Sequence, residues 1–275
     1  MSQQLDSKPV TERAGPQQDL RVSVVQNSLT WQDPAANRQR FAEMIRQGVR
    51  DSDLVVLPEM FTAGFSMDSH KVAEPVQGPT LAWMRELAEE TGAVITGSYA
   101  VADEQGGLPF NRLVWMRPDG HYDTYDKRHL FRMAGEDSRY QAGSKRMVVE
   151  LKGWRVCPLV CYDLRFPVWC RNRDDYDLLV FVANWPEARA YPWAQLLKAR
   201  AIENLSYVVG VNRVGEDGNG YAYSGDSIVL DAQGKALVVP GADIGVFSAT
   251  LSAEELNRFR DKFPAYLDAD AFEFL

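Results

Sequence analysis

The sequence predicts a single α/β domain in which buried strands alternate with amphipathic helices. Two wholly apolar runs, residues 54–57 (LVVL) and 178–183 (LLVFVA), are typical of strands covered on both faces. Between such runs lie longer segments whose apolar residues recur at helical spacing. The 275 residues contain no short repeat, low-complexity segment or interior linker, so one α/β domain is the simplest account.

The first part of the chain carries clear start and stop signals. Residues 1–18 are polar and predict a flexible N-terminal arm, and LRVSVVQ at Leu20–Gln26 predicts the first strand. Asp33 and Pro34 supply an N-cap and a first-turn proline for a helix that continues to residue 49. The apolar strand 54–57 then ends at Pro58 and Glu59.

The next part predicts one helix and three strands. The helix spans residues 80–90 and is stopped by Gly92, while residues 60–79 read as a loop. Strands are predicted over residues 93–101, 111–116 and 121–126, and Lys127 stands where the last of them ends.

The second half continues the alternation after an irregular stretch over residues 128–145. A hairpin is predicted over residues 146–160, turning at Lys152 and Gly153, with a helix beginning near Phe166 and Pro167. Further strands are predicted over residues 178–183, 206–212, 225–230, 235–239 and 245–250, and helices over residues 192–204 and 252–262. The last helix has a capping box of Ser252 and Glu255. The main domain therefore spans residues 19–262, and the apolar tail 263–275 is expected to pack on the body or on a second subunit.

Composition excludes several classes of protein. The net charge of −8 argues against nucleic acid and anionic membranes as partners, since both need a basic surface. No apolar run approaches the roughly 20 residues of a membrane span, and the first 18 residues lack the apolar core of a signal peptide. We therefore expect a cytoplasmic location.

The three cysteines, Cys157, Cys161 and Cys170, are expected to be free thiols. No ligand spacing in the sequence suggests zinc or another metal.

Three polar residues stand where apolar or β-rich runs end: Glu59, Lys127 and Cys161. Ligand sites in α/β sheets gather at the carboxyl ends of strands. A thiol, an acid and a cation meeting there can build a covalent hydrolase. The thiol attacks a carbonyl or nitrile carbon, the acid shuttles protons, and the cation stabilises the developing oxyanion.

Each residue alone also has a plainer structural interpretation. Cys161 could be an inert core thiol, Glu59 a cap or surface acid, and Lys127 part of a solvated basic cluster with Arg128 and His129. The histidines count against a papain-like pair, because His70, His121 and His129 are the only three and none lies in an obvious pairing context with a cysteine. A cysteine enzyme here needs a carboxylate base, and that requirement selects Glu59.

At these motifs the sequence resembles the nitrilase superfamily of carbon–nitrogen hydrolases. The family's Glu-Lys-Cys triad is matched by LPEMF around Glu59, YDKRHLF around Lys127 and VCYDLRFP around Cys161. Further pieces are ANWP at 183–186, KARAIEN at 198–204 and YSGDS at 223–227, and the resemblance covers residues 20–275. The family's second glutamate matches Glu136, beside Asp137. One departure is Val168, where many members carry glutamate after the RFP tripeptide.

The resemblance implies a fold, a mechanism and an assembly. The fold is a four-layer α-β-β-α sandwich, and subunits of this family usually pair through a helical layer, so a homodimer or higher homo-oligomer is expected. Cys161 forms a thioester after activation by Lys127, by the N-terminus of the following helix and by proton transfer to Glu59. Lys127 and the backbone N–H of Tyr162 hold the oxyanion, and Glu136 positions the substrate or orients Lys127. No metal or organic cofactor is implied.

The segments FTAGFSM, KRHLFRMAGE and NRVGEDGNG look most like those of bacterial omega-amidases. That resemblance implies hydrolysis of the omega-amide of 2-oxo-dicarboxylate monoamides, such as 2-oxoglutaramate and 2-oxosuccinamate. By nearness to the motifs, the candidate substrate-binding residues are Tyr125, Arg132, Arg165 and Trp185, although Arg165 could instead form an ion pair with Asp163.

Other functions remain open on the sequence. A different amidase, a nitrilase or an N-carbamoyl hydrolase would use the same triad. A scaffold protein that kept the fold and lost the activity is a separate class, against which the intact triad argues. A glutaminase-type ammonia donor would need a second domain to receive the ammonia, and none is evident.

Overall fold

Two six-stranded sheets lie face to face in this computed structural model, which describes residues 15–273. The first half of the chain builds most of one sheet and the second half builds the other. The elements in chain order are β1 (Leu20–Gln26), α1 (Pro34–Gly48), β2 (Leu54–Val56), α2 (Ser69–Val72), α3 (Pro79–Thr91), β3 (Val94–Val101), β4 (Phe110–Met116), β5 (Tyr122–Asp126), β6 (Val149–Leu151), β7 (Trp154–Val160), α4 (Pro167–Cys170), β8 (Leu178–Val182), α5 (Ala190–Asn204), β9 (Tyr207–Val211), β10 (Val214–Glu216), β11 (Ala222–Ser224), β12 (Ile228–Leu230), β13 (Ala236–Val238), β14 (Gly245–Leu251) and α6 (Ala253–Lys262).

Both sheets have a parallel centre and antiparallel edges. The first sheet has the order β14-β1-β2-β3-β4-β5, and β1, β2 and β3 run parallel. The second has the order β13-β12-β9-β8-β7-β6, and β7, β8 and β9 run parallel. The long strand β14 returns from the second half of the chain to pair with β1 along its whole length. That pairing joins the two halves into one domain.

Alternate residues of the first sheet face different layers. Leu54 and Val56 join the core between the two sheets, whereas Val55 and Leu57 pack with Phe41 of α1 and other residues of the helical layer. On the other side, Trp193 and Leu197 of α5 and Leu256 of α6 pack with the second sheet. The architecture is therefore the predicted α-β-β-α sandwich, because each sheet buries one face on its partner and the other on helices.

Most element boundaries agree with the sequence prediction to within a few residues. Asp33 caps α1 through a hydrogen bond from Ala36 N (3.0 Å), and Gly92 ends α3 in the left-handed region with a φ of 67°. The hairpin between β6 and β7 turns at Lys152 and Gly153, whose φ values of 51° and 79° suit a tight two-residue hairpin turn.

Three local predictions were wrong. Residues 60–79 were expected to form a loop, but they contain the four-residue helix α2. The region before residue 225 was not assigned to strands, but it forms the antiparallel pair β10–β11, a small separate ribbon. The helix expected after Cys161 is only the four residues of α4, and a 3-10 turn over Cys161–Arg165 precedes it. The dipole expected to act on Cys161 is therefore that of the short 3-10 turn, because α4 begins only at Pro167, six residues after the thiol.

The two ends of the described chain both contact the body. Residues 1–14 of the predicted arm lie outside the described residues, but Gln18 O accepts a hydrogen bond from Trp154 Nε1 (2.7 Å) and Pro16 O accepts one from Asn257 Nδ2 (2.9 Å). In the tail, Phe263 and Leu267 are 58% and 52% exposed on this single chain. Phe272 lies under the guanidinium of Arg173, while Phe274 is outside the described residues.

Candidate active site

The three sequence-predicted residues Glu59, Lys127 and Cys161 come together between the two sheets. Each follows the end of a strand: Glu59 comes after β2, Lys127 after β5 and Cys161 after β7. Glu59 and Lys127 are fully buried, and Cys161 is 9% exposed. The Lys127 Nζ donates hydrogen bonds to Glu59 Oε1 (2.8 Å) and to both carboxylate oxygens of Glu136 (2.9 and 3.0 Å). One buried cation therefore lies between two buried carboxylates.

Cys161 occupies a strained turn at the end of β7. Its φ of 44° lies in the left-handed region, which a non-glycine residue rarely adopts. Asp163 braces this turn, because its Oδ2 accepts a hydrogen bond from Val160 N (3.1 Å). The sulfur lies 4.0 Å from the backbone oxygen of Asn184, at the end of the neighbouring strand β8. The turn therefore presents the thiol beyond the edge of the second sheet.

Hydrogen bonds from three directions hold the Glu59 side chain. Asn111 Nδ2 and Lys127 Nζ both donate to Oε1 at 2.8 Å, and Asn184 N donates to Oε2 at 2.8 Å. The side-chain amide of Asn184 also donates to the backbone oxygen of Glu59. The carboxylate is thus held between strands of both sheets, which places a proton acceptor at the interface where Cys161 emerges.

Burial keeps the resting thiol of Cys161 protonated. Loss of solvent is the largest cause that raises its pKa well above 9.0, and the charge of Glu59 raises it further. The Lys127 ammonium acts in the opposite direction but does not outweigh these effects. Any attack by this thiol would need a base to remove its proton, and Glu59 is the carboxylate that the sequence selects for that role.

Lys127 and Glu136 respond to burial in opposite ways. Burial alone would lower the pKa of Lys127, but the carboxylates of Glu136 and Glu59 outweigh it and raise that pKa, so the ammonium stays charged. Burial raises the pKa of Glu136, and the charge of Lys127 partly offsets this. Glu136 also accepts a hydrogen bond from Phe131 N (2.5 Å), which ties the 3-10 turn at residues 136–138 to the loop before it.

A small cavity opens over the Cys161 sulfur. It holds about 390 Å³ of space free of protein atoms, counted to its open mouth. Glu59, Lys127 and Cys161 all line it, together with four aromatic side chains, a proline, an asparagine and two arginines. The other lining residues are Phe65, Phe131, Tyr162, Arg165, Asn184, Trp185, Pro186 and Arg189.

Two of the four predicted substrate-binding residues line this cavity, and two do not. Arg165 and Trp185 line it, and the Arg165 guanidinium lies 5.1 Å from the centre of the Trp185 ring. Tyr125 is buried elsewhere, donating its hydroxyl to Asp163 Oδ2 (2.7 Å). The side chain of Arg132 is 86% exposed and paired with Asp137 (3.3 Å). Nearness to a motif in sequence did not place these two side chains in the cavity.

Asp163 supports the turn at Cys161 rather than pairing with Arg165. Its carboxylate is fully buried and accepts hydrogen bonds from Tyr125, from Val160 N and from both the backbone N and Nδ1 of His129 (3.0 and 2.7 Å). The ion pair considered for Arg165 does not form in the described part of the chain. This network links the turn after β7 to the segment that carries Lys127.

Several lining residues were not predicted from the sequence. The polar ones are Asn184 and Arg189, and the apolar ones are Phe65, Phe131 and Pro186. Asn184 lay within the ANWP piece, but no local pattern shows that its backbone N–H reaches a carboxylate 125 residues earlier. Arg189 lies just beyond that piece, and only the cavity reveals its position.

Within residues 15–273 no cluster of three His, Cys, Asp or Glu side chains could hold a metal ion, and no helix there is long and apolar enough to cross a membrane.

A four-layer sandwich that brings a glutamate, a lysine and a cysteine to one cavity defines the class of this protein as a carbon–nitrogen hydrolase. The chain belongs to the carbon-nitrogen hydrolase family, whose model matches residues 21–261. The match spans both sheets and all of the residues that line the cavity.

The relatives agree with that membership. The chain is 48% identical to omega-amidase YafV from Yersinia enterocolitica, covering 93% of this chain and 99% of the relative. It is 29% identical to 2-oxoglutaramate amidase from Bacillus subtilis, covering 90% and 96% of the two chains. A solved structure of XC1258 from Xanthomonas campestris, a CN-hydrolase superfamily protein, superposes with a TM-score of 0.91 at 52% identity, covering 94% of this chain and all of that one.

Proposed function

We propose that this chain is an omega-amidase, which hydrolyses the omega-amide of 2-oxo-dicarboxylate monoamides to the 2-oxo acid and ammonia. 2-Oxoglutaramate and 2-oxosuccinamate are the proposed substrates. The observation that carries the proposal is the buried Lys127 between Glu59 and Glu136, beside a protonated thiol, at a cavity that also holds two arginines. The two curated relatives, an omega-amidase and a 2-oxoglutaramate amidase, support the same activity.

In the first half of the reaction, Glu59 takes the proton of the Cys161 thiol as the sulfur attacks the amide carbon. The carbonyl oxygen becomes an oxyanion, which the Lys127 ammonium and the backbone N–H of Tyr162 stabilise. One such donor is typically worth about 3–4 kcal/mol of barrier. Collapse of the tetrahedral intermediate breaks the C–N bond, and the proton held by Glu59 goes to the departing ammonia.

The second half hydrolyses the thioester left on Cys161. Glu59, now ionised again, removes a proton from water as its oxygen attacks the thioester carbon. The C–S bond breaks, the acid leaves, and the sulfur regains its proton from Glu59. Glu136 keeps Lys127 charged and in place throughout, because its two carboxylate oxygens both accept from the ammonium.

A panel of substrates tests the activity. Ammonia release should be fastest with 2-oxoglutaramate or 2-oxosuccinamate, and slower with a nitrile or an N-carbamoyl amine of similar length. The alternative functions are a different amidase, a nitrilase and an N-carbamoyl hydrolase, which the same triad would serve. Faster turnover of any of those substrates than of both 2-oxo monoamides would overturn the proposed function.

The assembly and the location are also proposed. We infer a homodimer or higher homo-oligomer in which the tail 263–275 packs at the interface, because the tail leaves apolar side chains exposed on one chain.

We infer a cytoplasmic location. The three buried free thiols suit it, since the cytoplasm keeps cysteines reduced. Fractionation of cells that express the native chain, followed by immunoblotting, tests the location; recovery with the membrane or the exported proteins would contradict it.

A further inference from the structure

The cavity is lined by two guanidinium groups that have no counter-charge among the described residues. No carboxylate of residues 15–273 lies within ion-pair distance of Arg165 or Arg189. Both groups instead lie over aromatic rings: Arg165 over Trp185 at 5.1 Å and Arg189 over Phe131 at 5.2 Å. An aromatic face orients a guanidinium but leaves its N–H groups free to meet a planar anion.

The two arginines differ in exposure. Arg165 is exposed, whereas Arg189 is half-buried. Water screens the charge of an exposed guanidinium, so an anion gains less by meeting it there. A half-buried cation without a counter-charge has lost part of its hydration, and a ligand carboxylate can restore what was lost. Arg189 is therefore the stronger of the two candidates for binding an anion.

Local hydrogen bonds fix the backbone of Arg189 before any ligand arrives. Its N–H donates to Pro186 O (2.9 Å) and its carbonyl accepts from Trp185 Nε1 (2.7 Å). The ring beneath its guanidinium belongs to Phe131, whose own N–H is bonded to Glu136. The cation is thus built onto the same frame that orients Lys127, so its position relative to Cys161 is set in advance.

Arg189 also lies where the cavity lined by Cys161, called the inner cavity below, meets a larger outer cavity. The outer cavity holds about 930 Å³ to its open mouth and shares Phe65, Phe131, Pro186 and Arg189 with the inner cavity. The carboxylate lining the outer cavity, Asp217, is occupied by hydrogen bonds from Tyr223 (2.9 Å), Asn219 N (2.8 Å) and Tyr221 N (3.1 Å). It therefore does not serve as the partner of Arg189.

We propose that Arg189 is the specificity-determining residue that binds the substrate carboxylate, at the end of the inner cavity away from the reacting amide. This inference rests on the proposed function, since a 2-oxo monoamide carries its carboxylate at the end opposite the amide. A charge-assisted pair between guanidinium and carboxylate selects anionic amides over neutral ones of equal length.

Arginine variants compared on two substrates test the selection. Arg189→Ala should lower kcat/KM for 2-oxoglutaramate by about 10- to 100-fold, mainly through KM, and leave kcat/KM for butanamide unchanged within about twofold. Arg189→Lys should recover part of the loss, because it keeps the charge but not the planar fork. Arg258→Ala removes an exposed arginine of α6 that lines neither of these two cavities, and it should change neither value.

A labelling experiment that needs no turnover separates this inference from the proposed activity. Iodoacetamide labelling of Cys161 is followed by mass spectrometry while 2-oxoglutarate is added as a protecting carboxylate. The half-protecting concentration should rise by about tenfold or more in Arg189→Ala and stay unchanged in Arg258→Ala. Equal protection of wild type and Arg189→Ala, or equal losses on both amide substrates, would overturn the inference. Absence of ammonia release from 2-oxoglutaramate by wild type, with protection still dependent on Arg189, would overturn the proposed function alone.

Discussion

At the scale of single residues, the groups around a buried thiol decide its chemistry. Cys157 and Cys161 are four positions apart, and both are buried with a raised pKa. Of the two, only Cys161 lines the cavity and is acted on by Glu59 and Lys127, whereas the charges acting on Cys157 are those of Arg146 and Asp163. A neutral thiol beside a base is therefore what distinguishes the proposed nucleophile from an inert core cysteine.

Replacing Cys161 removes the proposed nucleophile with little disturbance of the core. Cys161→Ala should reduce ammonia release to below about a hundredth of wild type, because no other thiol lines the cavity. Mass spectrometry of wild type during turnover should find an acyl adduct on Cys161 and none on Cys157 or Cys170. Circular dichroism and the urea midpoint serve as the folding control, and substantial turnover by a folded alanine variant would refute the assignment.

The buried thiol of Cys157 makes a specific contribution to the dependence of stability on pH. Burial raises its pKa from 9.0 to about 12. Above pH 9 the unfolded chain releases this proton while the folded chain keeps it, so the unfolding free energy falls as pH rises, by about 1.4 kcal/mol per unit for this group.

Urea unfolding from neutral pH to about pH 10.5 measures this contribution. The unfolding free energy of Cys157→Ala should fall less steeply than that of wild type over this range, since the variant lacks the group. Any constant loss from the smaller side chain cancels in the comparison of slopes. Identical slopes would show that Cys157 does not hold its proton more tightly in the folded state.

At the scale of elements, the ends of strands and their packing against neighbouring strands place the proposed catalytic residues. The stretch after β2 continues along β3, since Leu57 N donates to Thr96 O (2.8 Å) and Phe61 N to Ser98 O (3.0 Å). Glu59 lies between these two anchor points. Its position therefore depends on how closely this stretch can approach β3.

Gly97 of β3 permits that approach. A Cβ at this position would lie 2.8 Å from Leu57 Cβ and 3.1 Å from the Phe61 ring, which is too close. Gly97→Ala should cost about 1–3 kcal/mol in unfolding free energy and also reduce kcat, because the stretch that holds Glu59 must shift. Urea unfolding and ammonia release measure the two effects.

Gly106→Ala is the matched control for this variant. Its added Cβ would meet nothing within 4 Å, although its φ of 82° strains any side chain. It should lose up to about 1 kcal/mol of stability and no activity. Equal loss of activity in both variants would show that the effect of Gly97 does not act through the stretch carrying Glu59.

At the scale of the whole molecule, the exposed apolar side chains of the tail predict an assembly. Light scattering with size exclusion should give at least twice the 31.0 kDa of one chain. Phe263→Glu should shift the protein toward the monomer, because a carboxylate would be buried in the proposed interface. Ile244 is equally exposed, at 59% against 58%, and Ile244→Glu serves as the control. A wild-type monomer, or no difference between the two variants, would contradict the proposed interface.

The sequence by itself determined the α/β class, most helix and strand boundaries and the three strand ends where Glu59, Lys127 and Cys161 lie. These follow from local periodicity, caps and turn residues, which a chain carries in consecutive positions. The family resemblance added the α-β-β-α layers and Glu136. Local patterns could not place Tyr125 and Arg132 correctly, since a side chain near a motif can point to another part of the molecule.

The tertiary structure alone decided the hydrogen bonds of Lys127 with two carboxylates, the protonated state of Cys161 and the place of Arg189 at the cavity. These features arise where strands of two sheets meet, between residues as far apart as Glu59 and Asn184. Distance, burial and charge in such a place depend on the packing of the entire chain. No pattern within a single segment contains them.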